Sequence, residues 1–337
     1  MAETELLPAI KVEGKFQNTH PVQTRSLAKV PVIAKEWLTA KHKLSEPKYG
    51  LIPVEKIPAH GLKHGDALSF YRLGHSTILL SLDQHWWLID PVFSERASPL
   101  QWVGPQRFHA TPIDIASLPP ITGVVISHDH YDHLDKAAIQ QLKAKVAHFI
   151  VPLGVDALIE DWGVPAGKIH SLNWWQSIRI GSVQLTAGPA QHFSGRGISD
   201  GDKTLWASWA IQGDKENIFY SGDGGYFDGF KLIGEQLGPF DVTFIETGAY
   251  NKTWKNVHML PEQSVQAHVD VQGRYMVPVH NSTFDLSLHA WYEPLQRVEV
   301  AAQASGVNLL TPKIGEKVLL SQPATQAWWK ALMPIIK

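Results

Sequence analysis

Residues 124–135 read V-V-I-S-H-D-H-Y-D-H-L-D, so His128, His130, Asp132 and His133 fall within six residues, directly after an apolar run. A β-branched run ending in a polar burst reads as a buried strand that opens into a loop. Three imidazoles and a carboxylate there suit a borderline divalent metal: zinc first, with manganese or iron as the alternatives. His128 and His130 are two apart on extended chain, so both project to one side. Asp132 and His133 follow a bend and can face a second ion. One loop can therefore feed two adjacent metals.

Three further donors sit after strand-like runs. His192 follows 183–187 and the turn Gly188-Pro189. Asp223 lies in Ser221-Gly222-Asp223-Gly224-Gly225, after 218–220, where glycines let backbone come close to a ligand. His280 ends the run 275–279. Singly, each is weak, because a histidine after a strand is usually structural and an aspartate among glycines usually makes a turn. Jointly, a His-rich loop, a His, an Asp and a His at strand carboxyl ends form a complete shell for two ions.

The elements that must position these donors are legible in outline. Residues 68–73, 76–82 and 86–90 read as a three-strand meander, and 91–120 as a long irregular stretch. The strand 121–127 leads into the metal loop. A helix is expected at 135–145, a strand at 149–152 and a helix at 155–162. Hairpins are expected at 177–180/183–187 and 205–211/217–220. Helices at 227–237, 261–269 (with Pro261 at the favoured first position) and 295–304 alternate with strands at 241–246 and 275–279. Strand runs with helices between and after them imply an α/β fold: two mixed sheets face to face with helices outside, an αββα sandwich. Residues 1–60 have little periodicity beyond a short helix near 32–40. They read as an N-terminal wrapping arm on a hydrolase domain at 61–337.

Composition narrows the function classes. The 337 residues are 44% hydrophobic and 18% charged, with a formal net charge of −2. That is ordinary for a globular protein and offers no basic surface for nucleic acid. Cysteine is absent, so a metal site must be built from histidine and carboxylate, and a reducing compartment is accommodated. No signal peptide and no apolar run of about 20 residues is evident, and a cytoplasmic location is expected, with peripheral membrane contact and a homodimer left open. The 13 tryptophans read mostly as core and pocket walls.

The chain resembles the metallo-β-lactamase-fold hydrolases, and within them the branch of N-acyl-phosphatidylethanolamine-hydrolysing phospholipase D and its bacterial relatives. The fold's His-x-His-x-Asp-His motif is met by His128, His130, Asp132 and His133. The narrower likeness is carried by Gly74-His75-Ser76-Thr77, Asp90-Pro91-Val92-Phe93-Ser94, Arg96-Ala97-Ser98-Pro99 and Gly104-Pro105-Gln106-Arg107-Phe108. It continues through Gln191-His192, Leu205-Trp206-Ala207-Ser208-Trp209, Gly248-Ala249-Tyr250 and His280 with Thr283-Phe284. Even Gly14-Lys15-Phe16-Gln17-Asn18 matches.

The resemblance implies two Zn2+ per chain: one on His128, His130 and His192, the other on Asp132, His133 and His280, with Asp223 bridging. It sets Asp90 and His75 behind the ligands, with Asp90 orienting a ligand imidazole. It counts Asp132 and His258, in His258-Met259-Leu260-Pro261-Glu262, as catalytic, with His258 near the substrate. The implied reaction is phosphodiester cleavage on an N-acyl phospholipid or related lipid by a metal-bridging hydroxide. The alternative is a lactonase or small phosphorylated-metabolite hydrolase of the ascorbate-6-phosphate lactonase type. The chain departs from the family at Asp129, where Asn is usual, at Gly224, where Thr is, and at Asn281-Ser282, where Trp-Gly is frequent.

Overall fold

In this computed structural model the described residues are 6–22, 44–58, 62, 68–197, 199–254 and 256–334. The helix expected near 32–40 lies outside them.

Two short strands, β1 (Lys11–Val12) and β2 (Lys15–Phe16), make a hairpin. The meander follows: β3 (Ser69–Gly74), β4 (Thr77–Leu82) and β5 (His85–Ile89). Beyond the irregular 91–120 stretch come β6 (Ile121–Val125), helix α1 (Lys136–Leu142), β7 (Val146–Pro152), α2 (Val155–Asp161) and β8 (Ile169–Leu172). The second half holds β9 (Ser177–Ile180), β10 (Val183–Gly188), β11 (Ser208–Gln212), β12 (Asn217–Tyr220), α3 (Gly229–Leu237) and β13 (Phe240–Glu246). Then come α4 (Pro261–Asp270), β14 (Gly273–Val279), α5 (Glu293–Ala304), β15 (Asn308–Leu309) and β16 (Lys317–Leu319).

Strands β3 to β16 make two seven-stranded sheets, ordered β16-β3-β4-β5-β6-β7-β8 and β15-β14-β13-β12-β11-β10-β9. Both are mixed. In the first, β5 through β8 run parallel and the rest antiparallel; in the second, β12 through β15 do. The inner faces meet in a core built by Phe70, Leu80 and Trp87 from one sheet and Leu185, Trp209 and Phe244 from the other. Ala138, Ile139 and Leu142 of α1 pack with Ile159 of α2 on the outer face of the first sheet. Phe230, Val265 and Val298 bring α3, α4 and α5 onto the second. The αββα sandwich is the observed architecture. Fully buried strands on both faces explain the near-continuous apolar runs read from the sequence.

The differences lie at short edges. β1, β2, β8, β15 and β16 were not expected: all five are two to four residues long, too short for a period to register. Helix α1 is shorter than 135–145. Asp135 ends the extended chain instead and caps the helix, accepting from the N–H groups of Ala137 and Ala138. Among the described residues, no helix is long and apolar enough to cross a membrane.

Candidate metal centre

The site lies where strand carboxyl ends converge. Asp90 follows β5, the 127–133 loop follows β6, His192 follows β10, Asp223 follows β12 and His280 follows β14. Parallel neighbours place their carboxyl ends on one rim, so residues far apart in sequence meet there. Backbone strain marks the rim: His75, Asp90 and His280 have φ of +49°, +40° and +63°, values that non-glycine residues adopt rarely and mostly at functional sites. Close backbone approach is enabled at Gly248, where a Cβ would stand 2.0 Å from the His280 carbonyl oxygen, and at Gly225, 2.1 Å from that of Asn256.

Two groups of ligand-type side chains emerge. His128, His130 and His192 form the first, with ligand atoms within 4.8 Å of one another. His128 Nε2 stands 2.9 Å and His192 Nε2 3.3 Å from His130 Nδ1. The second contains Asp132, His133 and His280, and also His75. His280 Nε2 is 3.1 Å and His75 Nε2 2.9 Å from Asp132 Oδ2. Asp223 stands between the groups: its Oδ2 is 2.9 Å from His280 Nε2, 3.2 Å from His133 Nε2 and 4.0 Å from both His128 Nε2 and His192 Nε2. All seven donors expected from the sequence therefore converge.

Outer partners choose which nitrogen faces inward. Asp90, wholly buried, accepts from His133 Nδ1 at 2.6 Å and also from Ser127 and Tyr220. His192 Nδ1 donates to the Val257 carbonyl at 2.9 Å, and His128 Nδ1 meets Ser127 Oγ at 2.9 Å. The inward Nε2 of His192 thus carries a lone pair. It points at other ring nitrogens.

The electrostatics differ between the groups. Burial holds the rings of His128, His192 and, less strongly, His130 below their usual pKa, and neighbouring imidazoles add to this at His128 and His192. Burial likewise lowers His75 to about 3. At His133 and His280 burial is overcome by Asp223 and Asp132, and both rings are raised, His280 to about 10. The same pairing overcomes burial to hold both aspartates well below the carboxylate range.

A divalent cation suits this arrangement. Converging lone pairs in the first group repel one another unless a cation lies among them. Asp223 Oδ1 is buried with no hydrogen-bond partner, and His133 Nε2 lacks hydrogen-bond alignment despite its nearness to Asp223. In the second group, the largely buried Asp132 and the buried Asp223 draw positive charge onto the rings beside them. Imidazole and carboxylate without thiolate is a donor set for zinc, manganese or iron.

The remaining expected residues are also located. His258 lies at the rim, its ring centroid 5.2 Å from that of His192 and 5.4 Å from that of His280. Asp129 points away: its carboxylate accepts from the Gly195 N–H and the Thr204 hydroxyl, tying the loop after His192 to the metal loop. Asn281 accepts from buried Arg72 through its side-chain oxygen and its carbonyl. Two partners escaped sequence reading. Glu246, fully buried at the end of β13, contacts His258 Nδ1 at 3.1 Å. Asn18 brackets the His192 backbone, accepting from its N–H and donating to its carbonyl. The acidic end of the run F-I-E-T was the only signal for Glu246.

Residues 85–281 match the model of the beta-lactamase superfamily domain. An uncharacterized protein of Mycobacterium bovis is 41% identical over 326 residues, 94% of this chain and 86% of the relative. N-acyl-phosphatidylethanolamine-hydrolyzing phospholipase D 1 of Caenorhabditis elegans is 35% identical over 283 residues, 79% of each chain. Among solved structures, Igni18, a metallo hydrolase from the archaeon Ignicoccus hospitalis, superposes with a TM-score of 0.58 at 22% identity, over 75% of this chain and 97% of its own. The chain belongs to the beta-lactamase superfamily: it is a metal-dependent hydrolase of the metallo-β-lactamase fold, akin to the N-acyl-phosphatidylethanolamine-hydrolysing phospholipases D.

Proposed function

We propose that this hydrolase is a dinuclear zinc phosphodiesterase acting on a lipid-like phosphodiester. The observation that carries the reading is the position of Asp223 between two groups of largely buried donors. His128, His130 and His192 would hold one ion, Asp132, His133 and His280 the other, with Asp223 common to both. Bound there, the ions supply Lewis acidity and lower the pKa of a coordinated water.

The residues themselves do the rest. Two carboxylates against two divalent cations leave the site positive, which favours an anionic electrophile. Asp90 and Ser127 hold the ligand imidazoles in one orientation. His258 lies at the rim with Nδ1 occupied by Glu246, so Nε2 is the nitrogen that faces the substrate, and in the doubly protonated ring it can donate to a phosphoryl oxygen or pass its proton to the leaving oxygen while Nδ1–H stays on Glu246. The worm relative's name supports the lipid class.

A surface feature supports contact with a lipid aggregate. The 96–106 loop ties its polar groups to one another: Arg96 donates to the Gly104 carbonyl and Gln106, and the Gln101 side chain bonds the Arg96 backbone. Its apolar side chains turn outward, Trp102 being 76% exposed beside exposed Leu100 and Val103. The loop's base is clamped to the metal loop by Phe93 and Ser94 N–H donors on Asp135. An exposed indole on an internally bonded loop suits the membrane–water interface.

The test is a turnover screen of zinc-loaded protein on bis(p-nitrophenyl) phosphate, N-acyl phospholipid vesicles and a lactone series. Phosphodiester turnover is expected to dominate; lactone turnover with none of any phosphodiester would overturn the reading. Trp102→Ala should weaken vesicle co-sedimentation and spare the soluble diester. His258→Gln should lower turnover of unactivated diesters by ~10²–10⁴-fold, with less effect on p-nitrophenolate esters and none on metal content.

A further inference from the structure

We propose that Glu246 is a positioning residue for His258, fixing the imidazole so that Nε2 and not Nδ1 is presented to the substrate. The inference rests on the role given to His258 above.

Glu246 is immobilised at every polar group. Its backbone N–H donates to Ser221 Oγ, two residues before Asp223, and its carbonyl accepts from Ser264 Oγ in α4. Its Oε2 accepts the Met259 N–H at 3.0 Å, while Oε1 faces His258 Nδ1 at 3.1 Å. The carboxylate therefore spans two consecutive residues, holding the backbone after His258 and the ring of His258 together.

His258 needs such a partner. It lies on an irregular segment before α4, and its side chain is 14% exposed, whereas that of Glu246 is wholly buried. A carboxylate that accepts from Nδ1 imposes one orientation and one tautomer, as outer partners do for imidazoles in other sites. A wholly buried acid is costly and is seldom kept without a partner of this kind.

Ligation is the competing role, since Glu246, His258 and His280 place ligand atoms within 4.8 Å of one another. Anchoring of α4 through Met259 is the other.

Glu246→Gln separates these. The glutamine oxygen still accepts from Met259 N–H, so its amide group must face His258 Nδ1, which then has to accept. In zinc-loaded protein labelled with 15N-histidine, at a pH where the ring is neutral, the signals absent from His258→Gln identify His258. Wild type should show protonated Nδ1, and Glu246→Gln should show the proton on Nε2. Turnover number for an unactivated phosphodiester should fall ~10–100-fold, with KM little changed and metal content intact. In a His258→Gln background, Glu246→Gln should cost nothing more.

An unchanged Nδ1 proton, or an equal loss in both backgrounds, would reduce Glu246 to helix anchoring and overturn the proposal. Loss of metal in Glu246→Gln would make it a ligand and overturn it equally. Should no phosphodiester turn over, the tautomer still decides the Glu246 question, while the phosphodiesterase reading alone falls.

Discussion

The two halves of the candidate metal centre use the same fold to reach opposite electrostatics. The His128, His130 and His192 group is all imidazole; burial keeps its rings neutral, and their nitrogens crowd one another. The Asp132, His133 and His280 group carries a carboxylate of its own, leans on Asp223 and draws positive charge onto its rings. Neutral donors bind a cation without neutralising it, whereas carboxylates offset its charge. The first half is thus suited to hold an ion that polarises a substrate oxygen, and the second to hold one tightly. Asp223 is what makes the two halves one site.

The harshest way to break the comparison is therefore Asp223→Ala. It removes the carboxylate common to both groups. Metal content should drop at both positions, and turnover should fall by more than the ~10–100-fold typical of outer partners of metal ligands. Elemental analysis alongside kinetics checks this. Two retained equivalents with near wild-type turnover would show that Asp223 does not join the halves.

Asp90→Asn should part them. Asp90 bonds His133 directly and reaches His128 only through Ser127. Zinc affinity of the second group should weaken by ~10–100-fold, with the first affected less. A zinc titration should resolve a tight and a weakened phase; equal weakening of both would argue that Ser127 relays the full effect.

The pH dependence of metal-stripped protein gives each half its own signature. His280 is raised from 6.5 to about 10, so the stability it contributes is complete below about pH 6.5 and is lost as pH rises toward 10. His128 and His192 are lowered, so they oppose folding in acid: stability drops as pH falls below about 6.5, where the unfolded chain takes up protons. Thermal melts after chelation should thus decline on both flanks. Zinc loading should remove the alkaline decline, because the ion replaces the proton. His280→Gln should make the alkaline flank shallower, leaving the share that belongs to His133, and should leave the acid one, and an unaltered alkaline slope in that variant would refute the assignment.

How much of this was legible in the sequence follows from how local each role is. The metal loop was readable because its four donors fall within six residues and their spacing alone sets which sides they face. The strand-end donors were readable because apolar runs announce where buried strands stop, and the sandwich because those runs are long. Glu246 was not, because an acid at the end of a hydrophobic strand says nothing about a histidine twelve residues on until β13 and α4 are packed. Asp129 shows the reverse. It sits between two metal-loop histidines, and only the fold reveals that its carboxylate turns to Gly195 and Thr204. The strands at the sheet margins failed for want of length, as β15 with two residues illustrates.

The mildest test concerns Asn18, on the segment that reaches the site from the amino-terminal side. Its amide donates to the His192 carbonyl at 2.8 Å, and its oxygen accepts from the His192 N–H at 3.0 Å and the Trp206 indole at 3.1 Å. Trp206 keeps a second acceptor in the Ala190 carbonyl, so Asn18→Ala chiefly strands the buried N–H and C=O of His192. An unsatisfied buried group costs ~1–3 kcal/mol. The His192 ring keeps its bond to Val257, so its inward nitrogen should stay in place. The expected result is a lowered melting temperature, a few-fold loss of zinc affinity confined to the first group, and an unchanged second group. Because Asn18 touches only the backbone of one ligand, it gauges how rigidly that half must be framed. Equal weakening of both groups would mean that the halves are coupled through the protein frame as well as through Asp223.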